Sequence, residues 1–210
     1  MEITWLGYSC FRLKGKNITV MTDPFAPGLG YSLDKPNASI VTISHSHKNH
    51  SYVSGIGGQP KLINRPGEYE IGGALIIGIS AFHDAENGTV LGKNNIYDIE
   101  VDDVTVCHLG DLGHPLSSNQ TEELGNIDVL LVPIGGGTTI SAAQAAALVR
   151  NIEPKIVIPM HYKTATLTKE LDPIDKFLRE MGLSGIEPQP KLNVTRANLP
   201  LTTQVTVLNV

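Results

Sequence analysis

Short runs of apolar and β-branched residues, separated by Gly, Pro and Asn, dominate the hydrophobic pattern of this chain. Runs of this length, bounded by turn-forming residues, are typical of β-strands. Three of them, "SIVTIS", "DVLLVP" and "KIVIP", are almost continuously apolar, which predicts strands buried on both faces. Strands are predicted over residues 2–6, 10–14, 17–22, 38–43, 74–82, 94–101, 103–109, 127–132, 155–159 and 203–209.

Helices are fewer, and cap signals locate them. They are predicted over residues 118–124, 141–151 and 173–181. Ser141 and Gln144 form a capping-box pattern, Asp172 and Pro173 are a cap followed by a first-turn proline, and Gly125 is a stop signal. Hairpin turns are predicted at residues 14–17 and 102–103. No linker separates the elements, so we expect one domain over residues 1–210 with a layered sheet core.

Composition narrows the class of protein. The chain has 210 residues, of which 41% are hydrophobic and 18% charged, enough for a substantial core. A net charge of −5 gives no reason to expect binding to nucleic acid or anionic membranes. No apolar run approaches the roughly 20 residues of a membrane span, and the N-terminus has no signal-peptide pattern. Cys10 and Cys107 are expected to be buried thiols, with a disulfide between them as the alternative, so a cytoplasmic protein is predicted.

Metal-binding side chains stand at the carboxyl ends of several predicted strands. Three histidines, His45, His47 and His50, occur within six residues. His45 and His47 are two positions apart, so an extended chain points both to one side. Other strands are followed by Asp23, His83, Asp111 and His161. Ligands collect at this edge of parallel sheets, and we expect these side chains to converge.

These residue types in this arrangement indicate a transition-metal site. Imidazole and carboxylate groups bind zinc, and catalytic zinc keeps one coordination position open for water. Asp23, in "MTDPF", is expected to orient a ligand histidine, with a turn-forming Asp-Pro as the alternative. His108 and His114, which flank Asp111, stay open between a role in the pocket and a structural role.

Four ordered motifs, "SHSHKNH", "FHD", "GDLG" and "PMHY", resemble those of the metallo-β-lactamase fold superfamily of metal-dependent hydrolases. The resemblance covers roughly residues 2 to 165. Within the superfamily, the chain looks similar to compact bacterial hydrolases related to ascorbate-6-phosphate lactonase and N-acyl-phosphatidylethanolamine phospholipase D. The resemblance implies an α/β fold: an αβ/βα four-layer sandwich of two sheets with outer helices. It also implies that metals are bound at the strand ends.

The resemblance also implies how two metals would be held. The ligands of the first would be His45, His47 and His83. The second would have His50 and His161, and Asp111 would bridge the two.

The chain departs from the family pattern at two positions. The family cluster reads His-x-His-x-Asp-His, and Asn49 stands where the Asp would be. Asn49 is therefore either a weak ligand near the second metal or a residue that faces away and caps the following turn. Many relatives have His where this chain has Tyr8, which concerns the wall of the pocket.

A metal-dependent hydrolase is the function that the resemblance implies. Hydroxide formed at the metal would attack an ester, lactone or phosphodiester in a small-molecule substrate. Asp111 would position it, and His108 or His114 would serve as a general acid. One or two zinc ions are expected, and manganese or iron also suits these ligands. The alternatives are a non-catalytic metal-holding binding or sensor protein, and oxidation at a mononuclear iron on the same fold.

Overall fold

Thirteen β-strands and three α-helices form the fold in the computed structural model, which describes all residues 1–210. The strands are β1 (Glu2–Gly7), β2 (Cys10–Lys14), β3 (Thr19–Thr22), β4 (Ile40–Thr42), β5 (Lys61–Ile63), β6 (Gly67–Ile71), β7 (Ala74–Phe82), β8 (Lys93–Val101), β9 (Val104–His108), β10 (Val129–Pro133), β11 (Ile156–Met160), β12 (Leu192–Asn193) and β13 (Gln204–Val205). The α-helices are α1 (Ser118–Leu124), α2 (Ala142–Ile152) and α3 (Ile174–Glu180). Short 3₁₀-helices occupy Val53–Gly55 and Arg196–Asn198.

The strands form two mixed sheets. The six-stranded sheet has the order β12-β1-β2-β3-β4-β5, and the seven-stranded sheet has the order β13-β11-β10-β9-β8-β7-β6. In the first, β3 and β4 run parallel. In the second, β7 and β9 are both antiparallel to β8 and therefore share a direction, and β9, β10 and β11 run parallel. Within each sheet, the strands that precede the candidate ligands therefore end at the same edge.

The core lies between the sheets and beneath the helices. A single cluster of 43 buried residues includes inward-facing side chains of both sheets. Every residue of β10 and of β11 is buried, as the continuous apolar runs predicted. The hydroxyl of Tyr97 on β8 donates to the carbonyl oxygen of Ile43 at 2.9 Å, which ties the second sheet to the end of β4. The strand ends that carry the candidate ligands are thus held together by core packing.

The outer layers of the two sheets differ. Helix α2 packs against β10, and α3 packs against α2. The outer face of the six-stranded sheet is covered instead by loop side chains such as Phe25, Leu29 and Leu167, which form a separate cluster of nine buried residues. The α/β sandwich expected from the sequence is confirmed, with few helices. No helix of the chain is long and apolar enough to cross a membrane.

Most predicted elements are present, some with shifted ends. The segment 74–82 is β7 with the predicted bounds, and both hairpin turns are found, the second with positive φ at Asp102 and Asp103. The predicted strand 203–209 is reduced to two residues, and β5, β6 and β12 were not predicted. The cap predicted at Asp172 is wrong: Pro173 is the N-cap of α3, and Asp172 instead pairs with Lys176 at 2.6 Å.

Candidate metal centre

Imidazole nitrogens and carboxylate oxygens converge where the two sheets meet. Three groups of side chains each have their ligand atoms within 4.8 Å of one another: His45, His47 and His50; His45, His83 and Asp111; His50, Asp111 and His161. Asp111 belongs to two of these groups, which is the placement a bridging carboxylate needs. His47 groups with His45 and His50, so His45, His47 and His83 do not form one compact set.

The Oδ2 atom of Asp111 is surrounded by histidine nitrogens. It lies 3.2 Å from Nε2 of His50, 3.3 Å from Nε2 of His161 and 3.6 Å from Nε2 of His83. Two ligand atoms that are each about 2.0–2.1 Å from a tetrahedral zinc ion are about 3.3 Å apart. These separations therefore fit ligands around a metal.

Unpaired buried nitrogens support the same fit. Nε2 of His45 is buried and has no hydrogen-bond partner, and the buried Nε2 atoms of His50 and His161 face only the Asp111 carboxylate. Buried polar atoms in proteins almost always have a partner, because leaving one unpaired costs free energy. A cation at this position would be a partner for all three nitrogens and for the carboxylate.

The backbone around Asp111 shows why the motif reads "GDLG". Gly110 has φ +56°, and a Cβ at this position would clash with the side chain of Ser44. A Cβ at Gly113 would clash with the backbone of His83. The amide of Asp111 donates to Oδ1 of Asn94 at 2.9 Å. Two glycines and one buried amide therefore hold the Asp111 loop against the strand ends that carry the histidines.

A buried carboxylate orients the histidines from behind. Oδ2 of Asp23 lies 2.9 Å from Nδ1 of His50 and accepts from Oγ of Ser44 at 2.5 Å. The same Ser44 Oγ lies 3.0 Å from Nδ1 of His45. With Nδ1 engaged on this side, each ring turns its Nε2 toward the centre of the cluster. This is how carboxylates commonly fix the tautomer of metal-binding histidines.

Burial and neighbouring charges set the protonation states. Burial alone would raise the pKa of Asp111, but His161 and His50 hold that pKa well below its usual range. Burial, assisted by His50, lowers the pKa of His45 to about 4. For His50 burial acts in the same direction, but Asp111 and Asp23 outweigh it and raise the pKa to about 9. The centre thus combines an ionised carboxylate with a neutral imidazole at His45.

Tyr8 and His161 lie side by side in an uncommon backbone conformation. Their φ angles are +56° and +52°, and their rings are 4.2 Å apart between centroids. The amide of His161 donates to the carbonyl oxygen of Tyr8 at 3.1 Å. Nζ of Lys169 donates to the Tyr8 hydroxyl at 3.0 Å. Non-glycine residues with positive φ are costly and cluster at functional sites, which agrees with the placement of this pair.

Comparison with known proteins assigns the family. Residues 2–161 match the β-lactamase superfamily domain. The chain belongs to this superfamily.

Relatives in the superfamily share most of the chain. A metal-dependent hydrolase of Methanopyrus kandleri is 29% identical, with 89% of this chain and 94% of that protein covered. A metal-dependent hydrolase of Archaeoglobus fulgidus is 30% identical, with 89% and 93% covered. A crystal structure from Thermotoga maritima, described as a candidate Zn-dependent hydrolase of the metallo-β-lactamase superfamily, has a TM-score of 0.81 and 39% identity over 99% of this chain and 97% of that one. The superfamily and enzyme class expected from the sequence are confirmed; the narrower branch stays a prediction.

Asn49, at the position where the sequence resemblance implies a carboxylate, is only 5% exposed. Its backbone amide donates to Nδ1 of His47 at 3.4 Å. Its side-chain amide makes no hydrogen bond within the chain, so it does not cap the turn that follows. A place for the side chain near the metals stays a prediction.

The rings of His108 and His114 contact backbone groups of the fold. His108 is fully buried, and its Nε2 lies 2.9 Å from the carbonyl oxygen of Ser9. Burial lowers its pKa. Nε2 of His114 accepts from the amide of Phe82 at 3.1 Å, and its Nδ1 lies 2.7 Å from the carbonyl oxygen of Pro115. The His108 ring has no exposed surface, and both nitrogens of His114 contact backbone groups. Neither placement supports the role of general acid.

A loop anchored by Asp84 forms one side of the entrance. The Asp84 carboxylate accepts four backbone hydrogen bonds, from the amides of Glu86, Gly88, Val90 and Leu91, at 2.6–3.1 Å. These bonds hold its pKa at about 2. Val90 and Leu91 at the loop tip are 70% and 43% exposed. Ordered backbone therefore presents apolar side chains to solvent beside the centre.

Three residues of the centre were not predicted from the sequence: Ser44, Asn94 and Lys169. Ser44 lies inside the histidine motif, and its position before His45 was the available signal. Asn94 is a fully buried amide in β8, a residue type that strands disfavour, and that mismatch marks a special role. Lys169 comes from a loop far along the chain, and nothing local in the sequence points to Tyr8.

Proposed function

We propose that the protein hydrolyses an ester, lactone or phosphodiester bond of a small molecule at this centre. The observation that carries the proposal is the position of Asp111 Oδ2, within 3.2–3.6 Å of three Nε2 atoms. Carboxylate and imidazole ligands at such separations, in a superfamily whose relatives are named metal-dependent hydrolases, support hydrolytic chemistry.

Zinc is the proposed metal, with one or two ions per chain, and manganese or iron also suits the ligand types. The proposed ligands are His45, His47, His50, His83, Asp111 and His161. When bound, the metal supplies a Lewis acid for the substrate oxygen and lowers the pKa of a water molecule.

The residues of the chain prepare this centre before substrate arrives. Asp23 holds His50, and Ser44 holds His45, each through Nδ1, so that ring reorientation does not oppose metal binding. Metal binding requires unprotonated imidazoles, and burial already keeps His45 neutral at pH 7. His50 has to release a proton, because its pKa is about 9 without metal. We propose that Asp111, ionised and almost fully buried, positions the attacking oxygen.

A cytoplasmic location is part of the proposal. Cys10 and Cys107 are both buried free thiols, which suits a reducing compartment.

The test combines metal content with a turnover screen. Zinc-loaded protein is assayed against an ester, a lactone and a phosphodiester, and metal is counted by mass spectrometry. We expect turnover that needs bound metal, and loss of both metal and turnover in the variant His45→Ala/His47→Ala. Thermal stability should fall with the metal, because a ligand bound only by the folded state stabilises it. Unchanged metal content in this variant contradicts the ligand assignment, and full metal content without turnover favours a metal-holding, non-catalytic protein.

A further inference from the structure

Most of the residues that line the cavity next to the metal centre are polar or charged. The cavity encloses about 800 Å³ and is lined by twelve residues, of which one, Leu91, is hydrophobic. The lining includes Arg65 and Lys93 together with His45, His47 and His83. Three proposed metal ligands are therefore part of the same wall as two cationic side chains.

Arg65 and Lys93 give this cavity a positive charge. No Asp or Glu is among the lining residues, although the chain as a whole carries a net charge of −5. Neither side chain forms a salt bridge or a side-chain hydrogen bond within the chain. By contrast, the cavity that contains Arg150 and Lys155 also contains Glu153. The site cavity thus combines unpaired cations with no compensating carboxylate.

Asn95 links the segment that carries Arg65 to the segment that carries the first ligand histidine. Nδ2 of Asn95 donates to the carbonyl oxygen of Asn64 at 3.3 Å, next to Arg65 in the chain. The amide of Asn95 donates to the carbonyl oxygen of Ser44 at 2.8 Å, next to the first ligand histidine.

Lys93 is placed by the register of the sheet. It lies two residues before Asn95 in β8, on the same face of the strand, and pairs with Phe82, the residue before His83. Both cations are therefore anchored to the segments that carry metal ligands.

We propose that Arg65 and Lys93 bind an oxyanion group, phosphate or carboxylate, that the substrate carries apart from its scissile bond. This inference rests on the proposed function, because it names a substrate class for the same site. A guanidinium binds phosphate or carboxylate oxygens in pairs, and an ammonium adds a point charge. The low-dielectric walls of a cleft lined by one sign of charge also concentrate anions there. The proposed substrate is thus an anionic ester, lactone or phosphodiester.

The first experiment compares three acetate esters with zinc-loaded protein. Phenyl acetate is neutral, 4-acetoxybenzoate carries a carboxylate, and 4-acetoxyphenyl phosphate carries a phosphate. We expect a KM about tenfold lower for at least one anionic ester than for phenyl acetate. The two anionic esters distinguish carboxylate from phosphate recognition. In Arg65→Met/Lys93→Met this advantage should disappear, and in the matched control Arg150→Met/Lys155→Met it should persist.

The second experiment measures binding without turnover. Benzoate and phenyl phosphate are titrated into the zinc-loaded wild-type protein and both double variants by calorimetry. We expect the preferred anion to bind about tenfold more weakly to Arg65→Met/Lys93→Met, and to bind the control variant as tightly as the wild type. Binding to the wild type should weaken as the salt concentration is raised from about 0.01 M to about 1 M. Equal binding by wild type and Arg65→Met/Lys93→Met overturns the anion subsite. Absence of turnover of all three esters with this binding difference intact contradicts ester hydrolysis at the centre and leaves the subsite supported.

Discussion

The carboxylate of Asp23 lies 2.9 Å from Nδ1 of His50, and both side chains are completely buried. This contact leaves Nε2 of His50 facing Oδ2 of Asp111 at 3.2 Å. Asp23 is also bound by the amide and the hydroxyl of Ser44, so its own orientation is fixed. Asp23 thereby orients the ring of a proposed ligand without being a proposed ligand itself.

Asp23→Asn should weaken metal binding by about 10- to 100-fold, the usual cost of losing a partner behind a ligand histidine. Chelator competition measures the affinity. Asp128→Asn is a matched control, because Asp128 is also buried but pairs with Arg196 away from the centre. Equal losses in both variants would indicate a general effect on folding, and an unchanged affinity in Asp23→Asn would exclude the orienting role.

Asp111→Asn should lower metal occupancy and hydrolytic activity more than any substitution of an exposed acid. It removes the only carboxylate of the proposed ligand set, at a point shared by two groups of ligand atoms. Asp34→Asn is the control, since Asp34 is exposed and bonds only Ser32. Asp84 is unsuitable because it anchors the entrance loop. Metal analysis and turnover that match between the two variants would argue against Asp111 as a bridge.

Asn49→Asp should tighten binding of a second metal by roughly tenfold. A charged oxygen replaces an amide dipole with almost no change in volume, so the attraction of this side chain for the second metal ion increases. A gain of about 1.4 kcal/mol corresponds to tenfold tighter binding. The buried Asn49 side chain has no hydrogen bond that the change would break. Competitive titration with a chelator, followed to the second equivalent, gives the answer. Identical second-site affinities would place the Asn49 side chain away from the metal.

Asp98→Asn should stabilise the protein at alkaline pH. Burial, with Glu100 and Asp128 nearby, raises the pKa of Asp98 to about 7, and its Oδ1 has no hydrogen bond. Between about pH 4 and pH 7 the unfolded chain is ionised here while the folded chain still holds the proton, so stability falls as pH rises through that window. Above pH 7 the loss amounts to up to about 4 kcal/mol, at about 1.4 kcal/mol per pKa unit.

Chemical denaturation at pH 5 and pH 8 tests this expectation. The Asn variant should gain stability relative to wild type mainly at pH 8, and the exposed control Asp103→Asn should show no such difference. A gain of equal size at both pH values would contradict titration of Asp98 as the cause.

Sequence patterns were most informative where burial alone determines structure. β10 and β11 are apolar throughout because both faces are covered, and the capping box at Ser141 and Gln144 is present at the start of α2. β5 and β6 were not predicted because they are short and largely exposed, and because the turn-forming residues "NRPG" join them. Edge strands of this kind depend on pairing with a neighbour, which local composition does not reveal.

The same division applies to the site. His83, Asp111 and His161 were identified because they follow β7, β9 and β11, and the shared direction of these strands brings them together. His45 was identified in the same way and follows β4 of the other sheet. The contacts made by Asn94 and Lys169 depend on packing between distant segments, so no local pattern predicts them. The roles considered for His108 and His114 came from proximity to Asp111 in sequence, whereas in the fold both rings contact backbone groups.

The Asp84 carboxylate accepts hydrogen bonds from four amides of its own loop, residues 84–92. The shape of this loop depends on hydrogen bonds within its own residues, while the metal-binding side chains depend on sheet edges and on Asp23. Substitutions at Leu91, whose side chain lines the cavity, can therefore alter the cavity without disturbing the anchoring bond, which involves only its backbone amide. The outline of the cavity and the orientation of the proposed metal ligands can therefore vary independently, because they depend on separate sets of hydrogen bonds.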